Sequence, residues 1–189
     1  ITMNLIDVKS PADLKGLSIS ELTDLTAQAR QALMTKVSEH GGHFGPPMGV
    51  AEMIMALHYV FNSPVDKIVY DVSHQSYVHK MVTGRALAFL DHDHYDDVTG
   101  YTDPTESEHD FFNIGHTSTS ISLASGLATA RNLKGDSENI IAIIGDGSLS
   151  GGEAFEGLDY AATLDSNMII IVNDNDQSIA ENHGGLYRG

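Results

Sequence analysis

Short apolar runs and stretches of helical periodicity alternate along this chain. Residues 140–144 form a β-branched run typical of a strand buried on both faces, and residues 168–172 predict a second strand of this kind. The stretch between them has helical spacing, with an apolar stripe predicted at Phe155, Leu158, Ala162 and Leu164. Together these elements predict a parallel βαβ unit. We therefore expect an α/β fold in which a doubly wound, mainly parallel sheet is flanked by helices.

The first third of the chain predicts two more helices. A capping box that begins at Ser18 predicts a helix from residue 18 to about residue 37. A second helix is predicted from residue 50 to about residue 61. Residues 1–17 are expected to form an extended entry segment, so the folded domain would comprise residues 18–189.

Polar and small residues fill the stretches between these elements. Residues 40–49 are rich in glycine and proline and predict an irregular loop. Residues 67–80 predict a strand that runs into a polar turn, and residues 91–110 predict a solvated acidic loop rather than a metal site. Residues 121–131 are mostly small, which predicts a helix that packs very close to a neighbouring element or to a second subunit.

The two strands of the βαβ unit both end in polar residues. The first ends in Gly-Asp-Gly and the second in a cluster of asparagines and aspartates, where open α/β sheets hold their ligands. Asp146 and Asn175 offer hard oxygen atoms suited to Mg²⁺ or Ca²⁺ rather than zinc. The amides of Gly147 and Ser148, near a helix start, are available to phosphate. A common turn and a solvated loop would explain each end separately, but their combination favours a metal-diphosphate site.

Composition and charge exclude several classes of protein. The chain has 189 residues, enough for one sizeable core or for one large lobe of a longer protein. Its formal charge of −16 argues against nucleic acid as a partner. No apolar run reaches the length of a membrane span, so no membrane partner is expected. The absence of cysteine excludes disulfides and thiolate metal sites and fits a reducing cytoplasm.

The Gly-Asp-Gly turn, the helix and the strand that ends in asparagines resemble the thiamine-diphosphate-binding motif of the transketolase-like enzymes. The resemblance implies a thiamine-diphosphate-binding fold, of which this sequence would hold an incomplete part. It also implies that Mg²⁺ is bound by the Asp146 carboxylate, the Asn175 side chain and the main-chain carbonyl of Gln177. The metal would in turn hold the diphosphate of the cofactor.

Three further motifs resemble one branch of these enzymes, the 1-deoxy-D-xylulose-5-phosphate synthase family. They are GGH, which ends at His43 and is followed by ALHYVFNSP, then DVSHQSYVHK around His74, and GHTSTSIS from Gly115. The resemblance implies that His43 faces the reacting carbons as a proton-transfer or substrate-orienting group. It implies that Glu156 joins a hydrogen-bonded chain of acids that links two active sites, while a solvated helix glutamate explains this position equally well. The implied cofactor-binding residues are His74, Gly115, His116, Thr117, Gly147, Ser148 and Asn175.

The implied reaction decarboxylates pyruvate and transfers its two-carbon unit to glyceraldehyde 3-phosphate, with thiamine diphosphate and Mg²⁺ as cofactors. Two departures keep a transketolase, or a split-transketolase subunit acting on another sugar phosphate, as an alternative. The GPPMG of residues 45–49 is closer to the GAPMG of ordinary transketolases, and residues 102–110 lack the basic residues usual in the synthases. A non-catalytic module that binds Mg²⁺-diphosphate is a third hypothesis.

The resemblance begins near residue 12 and covers only the first part of such an enzyme. Its pyrimidine-binding domain, which carries the glutamate that assists cofactor activation, and its C-terminal domain have no counterpart in the sequence. We therefore expect a fragment, a proteolysed piece or one subunit of a split enzyme, inactive by itself. The resemblance favours a homodimer, or a partner chain that carries the pyrimidine-binding domain.

Overall fold

A computed structural model describes residues 2–174 and 181–188 of the chain. The described residues form one sheet of three parallel strands, with the second strand in the middle. The strands are β1, Lys67–Tyr70, β2, Ile140–Gly145, and β3, Ile169–Asn173. The parallel βαβ unit predicted from the sequence is confirmed.

Helices surround this sheet in the described part of the chain. They are α1, Ile19–His40, α2, Gly45–Gly49, α3, Ala51–Val60, α4, Tyr77–Lys80, α5, Leu87–Leu90, α6, Ser120–Lys134, α7, Asp146–Leu149, and α8, Gly152–Thr163. The helices predicted from residues 18 and 50 are thus present as α1 and α3. Among the described helices, none is both long and apolar enough to span a membrane.

The side chains of β2 alternate between two apolar clusters, one on each face of the sheet. Ile141 and Ile143 pack into a cluster with residues of α1, α3 and the N-terminal segment. Ile140, Ala142 and Ile144 pack into a second cluster with residues of α6 and α8. Helices therefore cover both faces of the middle strand, as the continuous apolar run of its sequence requires. This arrangement confirms the expected α/β class with helices on both sides of a parallel sheet.

Helices α6 and α8 pack at close range, as the small residues of α6 predict. A Cβ atom added to Gly157 of α8 would lie only 2.9 Å from the hydroxyl oxygen of Ser122. The apolar stripe predicted for α8 is wrong in two places, because Phe155 is 46% exposed and Ala162 is also exposed. The helix instead buries Ala154 and Gly157, since only small residues fit against α6.

The N-terminal segment does not have the extended conformation expected for residues 1–17. It forms two 3₁₀ turns, Leu5–Asp7 and Pro11–Leu14, that bury Leu5 and Leu14 in the core. The expectation fails because the apolar residues of this segment have a packing surface on α1 and α3.

Strand β3 is half-buried rather than buried on both faces. Val172 is 44% exposed, and the other β3 side chains have intermediate exposure. In the described part of the chain β3 pairs with β2 alone, so it lies at the edge of the sheet. An apolar run in the sequence predicts a strand, but it does not show whether that strand lies in the middle of the sheet or at its edge.

Two stretches predicted as loops contain ordered structure. Residues 45–49 form the short helix α2, which has proline in its first turn. The 3₁₀ turn His92–Asp97 is largely exposed, as predicted for the acidic loop. In the same predicted loop Asp110 is only 4% exposed, because Arg85 donates two hydrogen bonds to its carboxylate, at 2.8 and 2.9 Å.

Candidate functional site

The carboxyl ends of the three parallel strands lie at one edge of the sheet, which is where open α/β sheets bind ligands. The turn 71–76 follows β1, helix α7 follows β2, and Asp174 follows β3. The predicted ligands Asn175 and Gln177 lie outside the described residues. The geometry of the site therefore comes from the ends of β1 and β2 and from the segments packed against them.

Asp146 is the first residue after β2, and it is 5% exposed. The side-chain amide of Asn182 donates a hydrogen bond to the Asp146 carboxylate, and the Tyr187 hydroxyl donates one to its main-chain carbonyl. Gly147 and Ser148 are half-buried in the same turn. These contacts hold a hard oxygen ligand at the end of the middle strand.

His74 lies in the turn after β1 and packs against His43 from the loop after α1. Their ring centroids are 4.4 Å apart, and the ring planes are tilted by 32°. Burial, and then the neighbouring His43 imidazole, lower the pKa of His74 to about 4. His74 is therefore neutral at pH 7. Its Nδ1 atom is buried and has no hydrogen-bond partner in the described structure, and such an atom is available to an incoming ligand.

Segment 115–120 is hydrogen-bonded both to the residue after β1 and to the turn after β2. The Ser118 hydroxyl donates a hydrogen bond to the main-chain carbonyl of Ser148 at 2.6 Å. The Ser118 amide donates to the carboxylate of Asp71, directly after β1, at 2.9 Å. The predicted cofactor-binding residues of both segments are thereby brought together. Sequence reasoning missed Asp71 and Ser118, because their partners are distant in the chain and neither has a local signature.

Gly115 and His116 line a cavity of about 310 Å³ beside this segment. The other lining residues are Asn113, Ile114, Thr119, Ser122, Leu123 and Glu153. His116 Nδ1 donates a hydrogen bond to the main-chain carbonyl of Thr117 at 2.7 Å, because a carbonyl oxygen only accepts. Thr117 and Glu156 are both exposed, so neither side chain is enclosed by the described residues. Glu153, one turn before Glu156 on α8, is the carboxylate at the cavity.

A second histidine pair, His58 and His79, is fully buried. His79 Nε2 lies 2.8 Å from Asp110 Oδ1, and His79 Nδ1 lies 2.8 Å from His58 Nε2. Because a carboxylate only accepts, His79 donates from Nε2. Burial lowers the pKa of His79 to about 4, so the ring is neutral and its Nδ1 accepts from His58 Nε2. Hydrogen bonds from Arg85 and His79 outweigh burial and hold the pKa of Asp110 below its ordinary range. His79 is thus not a surface residue, although its segment was predicted as a polar turn.

The residues present fit a magnesium-bound diphosphate. The described residues contain no cluster of three or more His, Cys, Asp or Glu side chains that could hold a metal ion. Mg²⁺ on a diphosphate does not require such a cluster, because phosphate oxygens and water complete its octahedron. The buried Asp146 carboxylate is a suitable oxygen ligand, and the unpaired Nδ1 of neutral His74 can donate to a phosphate oxygen.

Comparisons with known proteins give the same family as the motifs. The family model described as 1-deoxy-D-xylulose-5-phosphate synthase matches residues 5–189. The 1-deoxy-D-xylulose-5-phosphate synthase of Symbiobacterium thermophilum is 50% identical over 184 residues, covering 97% of this chain and 28% of the relative. The synthase of Shouchella clausii is 49% identical over 185 residues, covering 98% of this chain and 30% of the relative.

A solved structure shares the fold. The crystal structure of transketolase from Campylobacter jejuni matches with a TM-score of 0.72 and 19% identity, covering 91% of this chain and 32% of that chain. The chain thus spans less than a third of the length of these relatives. Since the family model matches almost every residue and the identity to named synthases is near one half, the chain belongs to the 1-deoxy-D-xylulose-5-phosphate synthase family.

Proposed function

We propose that the protein containing this chain transfers a two-carbon unit from pyruvate, with decarboxylation, to glyceraldehyde 3-phosphate, and so forms 1-deoxy-D-xylulose 5-phosphate. The reaction depends on thiamine diphosphate and Mg²⁺, and the chain supplies the diphosphate-binding part. Family membership supports this general reaction. The observation that carries the cofactor assignment is the buried carboxylate of Asp146 at the carboxyl end of the middle strand.

The proposed metal ligands are the side chains of Asp146 and Asn175 and the main-chain carbonyl of Gln177. The proposed cofactor-binding residues are His74, Gly115, His116, Thr117, Gly147, Ser148 and Asn175. The Asn182 amide, which donates to the Asp146 carboxylate, orients that ligand. When bound, thiamine diphosphate supplies the electron sink that the decarboxylation requires.

His43 is the proposed proton-transfer or substrate-orienting group. His43 is exposed, and its ring packs at a tilt against the neutral ring of His74. The Tyr101 ring is edge-on to His43, with the two ring centroids 6.2 Å apart. An imidazole at this place can serve as a hydrogen-bond partner of the substrate or as a general acid or base. With a formal chain charge of −16, an anionic substrate needs such local groups and the metal to bind.

The proposed assembly is a homodimer, or a complex with a chain that carries the pyrimidine-binding domain, and the proposed location is the cytoplasm. Glu156 is the proposed member of an acid chain between two active sites. Its exposure on α8 supports this role, because it leaves the carboxylate accessible to a second surface.

The reaction is tested with the full-length protein, carboxyl-labelled pyruvate and glyceraldehyde 3-phosphate. We expect labelled CO₂ and 1-deoxy-D-xylulose 5-phosphate in equal amounts, with both requiring thiamine diphosphate and Mg²⁺. Asp146→Ala should abolish both products, whereas Asp159→Ala, on an exposed position of α8, should retain them. Turnover that survives Asp146→Ala or removal of the cofactor would refute the proposal.

A transketolase acting on another sugar phosphate is the second candidate, favoured by the charges near residues 102–110. The basic groups there, Lys80 and Arg85, already pair with Glu106 and Asp110, at distances of 2.8 to 3.1 Å. They are therefore not available to glyceraldehyde 3-phosphate, the acceptor in the synthase reaction. Ketose phosphates offered as donors separate the two candidates, because a transketolase forms its product without releasing CO₂.

A further inference from the structure

Asp71 is a buried carboxylate directly after β1 that accepts hydrogen bonds from segment 115–120. It is 1% exposed. One carboxylate oxygen accepts from the Ser118 amide at 2.9 Å, and the other accepts from the Ser120 amide at 3.0 Å. The Gln75 side chain donates to the Asp71 main-chain carbonyl at 3.0 Å, which ties the turn after β1 to the same residue.

Asp71 thereby caps helix α6, although it lies in the turn after β1. Thr119, the residue before the first turn of α6, makes no side-chain capping bond of its own. The negative charge of Asp71 lies at the amino end of a 15-residue helix, where it is stabilised by the unpaired amides and the helix dipole. The amide of Ser120, the first residue of α6, is consequently occupied by the protein's own carboxylate.

Ser118 transmits this restraint to the turn after β2. Its backbone has a φ of 71°, a left-handed conformation that is unusual for serine and that the two bonds to Asp71 help to hold. Its hydroxyl donates to the Ser148 carbonyl at 2.6 Å. The fit is close, because a Cβ atom on Gly151 would lie 2.0 Å from the Ser118 hydroxyl oxygen.

We propose that Asp71 is a positioning residue of the candidate site, which sets segments 115–120 and 146–151 at the separation that the metal-diphosphate requires. It acts through Ser118 and does not touch the cofactor. The role in binding rests on the proposed function, whereas the mechanical coupling of the two segments does not.

A matched control is available at the amino end of the same strand. Asp66, just before β1, is 6% exposed and accepts from the backbone amides of Asn62 and Asn139, at 2.7 and 2.8 Å. Asp66→Asn and Asp71→Asn both remove a buried charge that accepts from two backbone amides. Only Asp71 bonds to the segments of the site.

The test compares hydrogen exchange and cofactor binding in the full-length protein. Asp71→Asn should raise amide exchange about tenfold in segments 115–120 and 146–151. It should weaken calorimetric binding of thiamine diphosphate with Mg²⁺ by about 10- to 100-fold. Asp66→Asn should change neither quantity. Ser118→Ala, which removes only the bond to Ser148, should raise exchange in 146–151 while 115–120 stays protected.

Unchanged exchange of segment 146–151 in Asp71→Asn, or equal loosening by Asp66→Asn, would overturn the proposal. Should Asp71→Asn fail to fold, the exchange pattern of Ser118→Ala decides the coupling by the same criterion. A wild-type protein that does not bind thiamine diphosphate would refute the proposed function instead. The exchange data would still show whether Asp71 couples the two segments.

Discussion

The imidazole rings of His43 and His74 lie 4.4 Å apart between centroids, although 30 residues separate them in the chain. Burial and the nearby His43 lower the pKa of His74 to about 4. Replacement of His43 by Gln should therefore raise the pKa of His74, because one of the two causes is removed. Imidazole NMR signals followed from about pH 3 to about pH 8 cover both the protonated and the neutral ring, and so measure this change.

His92→Gln is the control for that titration, since His92 is exposed on a separate 3₁₀ turn. It should leave the His74 titration unchanged. A His74 signal that titrates near its ordinary value of about 6.5 in the wild-type protein would contradict the burial of the ring.

Buried histidines should make the fold sensitive to mild acid. The pKa values of His58 and His79 are lowered chiefly by burial, as is that of His74. Below about pH 6.5 these histidines are protonated in the unfolded chain but stay neutral in the folded chain. The free energy of unfolding should therefore decrease as the pH is lowered from about 6.5 to about 4. Asp110, whose pKa is depressed, adds stability that is lost only below its unfolded value of about 3.9.

Urea unfolding at a series of pH values measures this dependence. The slope gives the number of protons taken up on unfolding, which should be positive across the window. A free energy of unfolding that stays constant, or increases, as the pH falls from about 6.5 to 4 would show that these rings are not held neutral by the fold.

Gly151→Ala should disturb the site by steric contact alone. The φ of Gly151 is −69°, which alanine adopts readily, but its Cβ would lie 2.0 Å from the Ser118 hydroxyl oxygen and 2.8 Å from its Cβ. We expect a loss of about 1–3 kcal/mol in the free energy of unfolding. Gly152→Ala is the control, since its Cβ would meet nothing within 4 Å. The double change Gly151→Ala, Ser118→Gly should recover most of the loss, and a failure to do so would contradict the contact.

Two arginines test how burial changes the value of an ion pair. Arg85 makes a bidentate ion pair with the buried carboxylate of Asp110, whereas the ion pair of Arg30 with Glu52 lies at the surface. Arg85→Lys should cost about 2–4 kcal/mol, because lysine cannot reproduce the fork. Arg30→Lys should cost less than about 1 kcal/mol. Equal losses in urea unfolding would show that the Arg85 pair is not buried in solution.

Features with a local cause were predictable from the sequence. The Ser18 capping box gives the start of α1, where the Ser18 hydroxyl accepts from the Glu21 amide at 3.2 Å. Likewise, the β-branched run predicts β2, and the Gly-Asp-Gly turn locates Asp146 at its end. These signals lie within a few residues, so they do not depend on the rest of the fold.

Features that depend on distant partners were not predictable. His79 and Asp110 are 31 positions apart, and their mutual burial has no signature in either segment. The half-burial of β3 depends on its place in the sheet, and the cap of α6 comes from Asp71, 49 positions before Ser120. Local sequence patterns show the chemical type of each residue, but they do not show which distant residue the fold places in contact with it.

The most direct test of the central claim is calorimetric titration of the full-length protein with thiamine diphosphate, with and without Mg²⁺, beside Asp146→Ala and the exposed control Asp159→Ala. The account predicts binding that requires Mg²⁺, is lost in Asp146→Ala and is retained in Asp159→Ala. Binding of equal strength in folded Asp146→Ala, or no requirement for the metal, would contradict the assignment of Asp146 as the anchor of a magnesium-bound diphosphate.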